Sequence, residues 1–150
     1  MNRRRQKRLT ARLVTAAMLG RHTDVAALLR AGADPHTPDA DGTTPLYAAS
    51  VHGATGIVRT LLAAGAAPDA ESGHGSEGTP LCAAACWGHT DTVRELLAHG
   101  ADPNLREDHG TGLTPLGWAL HGPHPETADV LRAAGAVQVA TACPGPGGCG

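Results

Sequence analysis

Cys82 and Cys86 stand four residues apart, which places two thiols on one face of a helix, and His89 or His74 could join them around a metal. The pattern is incomplete as a metal signature. It lacks a Cys-x-x-Cys pair, and His89 falls in a Gly-His turn that needs no metal to explain it. No metal site and no cofactor is expected. The acids promise no stronger chemistry: Asp34, Asp69 and Asp102 sit in repeated loop positions, where a carboxylate bonds or caps a turn. No Gly-x-Ser-x-Gly, phosphate-binding loop or His-Glu-x-x-His pattern occurs, and no enzyme is expected. Recognition is the chemistry that remains. Trp87 is the strongest single candidate, because Trp is enriched among residues that dominate binding energy.

The elements that must position these groups recur along the chain. Thr44-Pro45-Leu46, Thr79-Pro80-Leu81 and Thr114-Pro115-Leu116 repeat with a period of 35. A closing turn repeats as Gly32-Ala33-Asp34-Pro35, Gly65-Ala66-Ala67-Pro68, Gly100-Ala101-Asp102-Pro103 and Gly135-Ala136. Within a unit, Thr44 can cap a helix with its hydroxyl while Pro45 takes the first helical position, where no amide hydrogen is needed. Gly53 suits the turn after the short first helix, and Ile57, Val58, Leu61 and Leu62 give the 3–4 spacing of an amphipathic second helix. A repeat of this length predicts a solenoid.

The stretch TPLCAAACWGHTDTVRELLAHGADPN, from Thr79 to Asn104, resembles the ankyrin repeat, and the resemblance covers residues 10–136. It implies an all-α solenoid of stacked helix-turn-helix units joined by short hairpin-like loops, with repeats at 10–36, 39–69, 74–104 and 109–136. It also implies a non-catalytic role in binding a protein partner. In such proteins the partner meets the loop tips and the exposed end of each first helix. Carried over by position, Val51, His52, Cys86, Trp87, Leu113 and His121 are the expected contacts. The position two after each Pro, where the family usually has a His bonding to the neighbouring loop, holds Tyr47, Cys82 and Gly117 here. Tyr47 can imitate that bond in part, Cys82 only weakly, and Gly117 not at all.

Composition agrees with short, closely packed helices. Aromatics are 2% of residues and Phe is absent, so Ala and Leu must build the interior. The formal net charge of -2 hides an asymmetry. Arg3, Arg4, Arg5, Lys7, Arg8 and Arg12 all precede the first acid, Asp24. Residues 1–9 are therefore expected to be a disordered basic arm, and an electrostatic adaptor that touches nucleic acid or anionic membrane through it is the alternative function. No segment reaches the roughly 18 apolar residues of a membrane span, and Arg12 interrupts the apolar run that a secretory signal would need. Four cysteines make no disulfide scaffold, so a cytoplasmic monomer with reduced thiols is expected.

Three places depart from the repeat. Glu71-Ser72-Gly73-His74-Gly75-Ser76-Glu77-Gly78 is a Gly-rich loop expected to be mobile. In the last unit Pro123 stands where Gly20, Gly53 and Gly88 stand earlier, and Gly122 is expected to supply the left-handed turn residue instead. Residues 137–150, with Cys143 and Cys149, read as a flexible Gly/Pro/Cys tail.

Overall fold

The computed structural model describes residues 2–138, so Met1, Cys143 and Cys149 lie outside the described residues, as does all of the expected tail beyond residue 138. Among the described residues there are helices and no strand. The chain runs α1 (Arg3–Met18), α2 (His22–Arg30), α3 (Pro45–Val51), α4 (Thr55–Ala63), α5 (Pro80–Cys86), α6 (Thr90–Ala98), the single turn α7 (Glu107–Gly110), α8 (Pro115–His121) and α9 (Pro125–Ala133). Helices α1 and α2, α3 and α4, α5 and α6, and α8 and α9 pack as consecutive pairs. First helices stack in the order α1, α3, α5, α8, and second helices in the order α2, α4, α6, α9. This is the all-α repeat fold that the resemblance implies.

The repeated letters become layers. Thr44, Thr79 and Thr114 each accept a hydrogen bond from the amide three residues on, and Pro follows each at the first helical position. Leu13, Leu46, Leu81 and Leu116 form one buried row through the first helices. Leu28, Leu61, Leu96 and Leu131 form a second through the second helices, and Val25, Val58, Val93 and Ala128 a third. Each row is continuous across the units, so each unit covers the apolar face of the next.

Hydroxyls and imidazoles add polar ties between units. Thr55 and Thr92 share a hydroxyl hydrogen bond of 2.9 Å, and Thr90 and Thr127 one of 2.8 Å. The Nε2 atoms of His89 and His124 each lie 3.0 Å from a carbonyl oxygen of the preceding unit, those of Val51 and Cys86. These imidazoles pass directly over the glycine turns. A Cβ at Gly53 would lie 2.5 Å from the His89 ring, and one at Gly88 would lie 2.5 Å from the His124 ring. Both glycines also have positive φ, 63° and 70°. They are glycine for two reasons at once.

Three sequence expectations are corrected. Residues 3–9 are not a disordered arm but the start of α1, capped by the Asn2 side chain, with Leu9 already buried. No Gly or Pro interrupts residues 3–18, and Arg, Leu and Ala are good helix formers, so the helix propagates upstream of the repeat boundary. The Gly-rich loop is stitched to its neighbour rather than left loose. Its Ser72 amide donates to Gly78 O, its Gly73 amide donates to Gly42 O, and the Ser72 and Thr43 hydroxyls donate to the Glu77 carboxylate. Its glycines permit left-handed turns rather than freedom.

The last correction is at the fourth turn. Gly122 has φ −84°, and it is Pro123 that carries a positive φ, 22°. Gly122 therefore does not supply the left-handed turn residue expected of it.

Candidate functional site

The loops entering the third and fourth units and the first helices behind them enclose a cleft of about 340 Å³. Its helical wall comes from Cys82, Cys86 and Trp87 at α5, Tyr47 in α3 and Trp118 in α8. Its loop wall comes from Ser76, Glu77, Glu107 and Asp108. The loops hold this shape through each other. The His109 amide donates to Glu71 Oε1 at 3.2 Å, and His109 Nδ1 lies 3.4 Å from Glu71 Oε2. Ser72 and Glu107 are one repeat apart and make the same turn bond, each amide donating to a carbonyl at the end of its loop.

Glu107 is the unusual group in this wall. It is only 8% exposed, and its Oε1 accepts a 2.6 Å hydrogen bond from the Trp118 indole N–H. Burial pushes its carboxyl above the usual range, the Trp118 hydrogen bond opposes that shift, and the Asp108 charge adds to it. Gly78 makes room for it, since a Cβ there would collide with Glu107 Oε2. Burial above all, with the negative charges of Glu77 and Glu107, pushes the Tyr47 hydroxyl up to about 12. Tyr47 is thus a neutral phenol.

The thiols are not poised to react. Burial pushes Cys82 up to about 12, and burial followed by the Glu107 charge raises Cys86 as well. A nucleophilic cysteine needs the opposite shift. Cys82 Sγ instead makes a long contact of 3.8 Å with Leu113 O, the weak loop bond expected of a thiol at that position. Among the described residues, no three His, Cys, Asp or Glu side chains are placed to hold a metal. His89 is occupied with Val51 O, and His74 packs over Gly42 in the neighbouring loop.

The six expected contact residues separate into two groups. Cys86 and Trp87 line the cleft, and Trp87 is 62% exposed. Val51, His52, Leu113 and His121 do not line it. Val51 is half-buried and His52 exposed at the end of α3, while Leu113 is half-buried in the loop before α8. His121 is exposed, with its ring edge-on to Trp118 at 6.2 Å. Sequence reasoning missed Glu107, Glu77 and Tyr47 as cleft residues. The period held a signal for Glu107. Thirty-five residues after Ser72, whose hydroxyl accepts from the Thr44 amide, an acid stands at the equivalent loop position.

The charge of the whole loop edge follows the same sign. Residues 31–44, 64–79 and 99–114 hold nine of the 14 acids and one of the 12 Lys and Arg residues, Arg106. That guanidinium is directed to the carbonyls of Gly112 and Thr111 in its own loop. The five other acids each pair with an Arg: Asp24, Asp91, Glu95, Glu126 and Asp129. The excess negative charge of the body is therefore concentrated on the loops.

The family model described as Ankyrin repeats (3 copies) matches residues 13–107 and 69–141, which together run through most of the chain. No curated protein matches it. The capped Thr-Pro helices, the buried Leu rows and this match agree, and the chain belongs to the ankyrin-repeat family.

Proposed function

We propose that this chain is a non-catalytic binding module that holds a protein partner in the groove formed by the loops and the exposed ends of the first helices. Ankyrin repeats are generally protein–protein interaction modules, which supports the class. The observation that carries the site is Trp87, a large apolar side chain that lines the cleft and is left 62% exposed. A stitched loop edge loses little conformational entropy on binding, so little of the contact energy is spent on ordering it. Val51, His52, Leu113 and His121 extend the contact beyond the cleft.

The basic helix supports a second reading. Arg3, Arg4, Arg5, Lys7 and Arg8 are exposed in the first turns of α1, and none pairs with a carboxylate among the described residues. Cations at a helix N-terminus oppose the helix dipole, and phosphates of a nucleic acid or of an anionic membrane would relieve that. Capture from a cell extract separates the two, using the intact chain, a variant with these five residues changed to Gln, and Val51→Ala with Trp87→Ala. The groove reading expects a protein that is lost only with the double variant. Nucleic acid or lipid lost only with the Gln variant would move the function to α1.

A further inference from the structure

We infer that the cleft between the third and fourth loops receives a Lys or Arg side chain from an extended cationic segment of the partner, with Glu107 as the recognising carboxylate. The inference rests on the groove reading and names the chemistry of what enters it.

Three observations point to a cation. Among the described residues the partners of Glu107, a buried carboxylate, are neutral: the Trp118 indole holds one oxygen, the Cys82 thiol bonds the same carboxyl, and no Lys or Arg lines the cleft. A buried charge is ordinarily paired, because desolvation penalises it heavily when it is alone. The missing partner is a positive group. Second, Glu77 and Asp108 line the same cleft, and Trp87, Trp118 and Tyr47 supply aromatic surface for a cation to lie against. A guanidinium or ammonium with an aliphatic stem fits both features, since the stem covers aromatic surface while the head meets the carboxylates. Third, the charge extends outward. Nine acids against one Arg on the loop edge attract a segment with several cations, not one isolated ion.

The acids on the rest of the molecule sharpen the argument. Among the described residues each carboxylate outside the loops is matched by an Arg, whereas no loop acid, Glu107, Glu77 and Asp108 included, pairs with a Lys or Arg. A cationic partner would offset the charge that the loop acids leave unpaired.

Both tryptophans of the chain line the cleft, so their emission reports occupancy directly. The intact chain is titrated with a flexible peptide alternating Gly with Arg, and in parallel with its citrulline counterpart, which keeps shape and removes charge. Saturable change is expected with the Arg peptide. Binding is expected to be about tenfold weaker or worse with citrulline, in Glu107→Gln and at raised salt. Glu107→Gln keeps an acceptor for Trp118 and removes a buried charge, so its thermal midpoint is expected to hold or rise. Asp108→Asn is an exposed second variant, and Asn tolerates the left-handed φ of 51° found there. It too is expected to weaken the Arg peptide. Equal binding of the Arg and citrulline peptides, or full binding by both variants, would overturn the inference. So would salt-sensitive self-association of the chain through α1, which would make a second copy the occupant. A partner protein that needs Val51 and Trp87 but ignores Glu107→Gln and salt sinks the cationic assignment alone. A partner that ignores Val51 and Trp87 as well sinks the groove reading with it.

Discussion

Gly88→Ala is expected to lower the unfolding free energy by about 2–4 kcal/mol, the sum of a left-handed residue gaining a Cβ and a displaced inter-unit hydrogen bond. The backbone there has φ 70°, and the new Cβ would lie 2.5 Å from the His124 ring. The ring must move, and with it goes the 3.0 Å contact between His124 Nε2 and Cys86 O that ties α5 to the last unit. At about 2–4 °C per kcal/mol for a chain of this size, the thermal midpoint falls by about 10 °C. Gly20→Ala provides the control, because Gly20 has nearly the same φ, 68°, and nothing within 4 Å of its Cβ. Its loss is expected to be about 1 kcal/mol, the left-handed cost alone. Equal losses at the two sites, read in parallel melts, would mean that the imidazole ties contribute nothing.

Trp87→Ala is the larger functional change. With most of its surface in solvent, the side chain contributes little to the core, and the thermal midpoint is expected to move by less than about 2 °C. Affinity for a groove-bound partner is expected to fall by about 2–4 kcal/mol, roughly thirtyfold or more, as for a central Trp in an interface. Trp118→Ala behaves differently. Trp118 packs against the core and donates to Glu107, so its loss costs stability and binding together. The contrast is measurable by calorimetry and melting on the same two variants. A Trp87 variant that melts early and binds normally would reverse the roles of the two rings.

The repeated part of the architecture was legible because it is written in repeated letters. Thr-Pro-Leu at a period of 35 specifies a cap, a first turn and a buried row, and each of these forms where the letters stand. The places that resisted reading lack that redundancy. Residues 3–9 carry charge, which suggested disorder, yet charge alone does not stop a helix when Arg and Ala favour it and Asn2 caps it. Local preference pointed to Gly122 as the left-handed residue of the fourth turn, yet its φ is negative. The cleft was half-legible. Trp87 and Cys86 follow from helix-end positions, whereas Glu107 faces inward only because two loops touch, and such contact between units leaves little trace in any one unit.

The partner is expected to sit on the loop edge and not on α1 or the outer helices. Hydrogen–deuterium exchange of the chain, alone and bound to the captured partner, tests it most directly. Slowed exchange is expected in the loops at 39–44, 71–79 and 106–114 and at the ends of α3 and α5 around Val51 and Trp87, with α2, α4, α6 and α9 unchanged. Protection confined to α1, or spread over the outer helices with the loops unchanged, would contradict it.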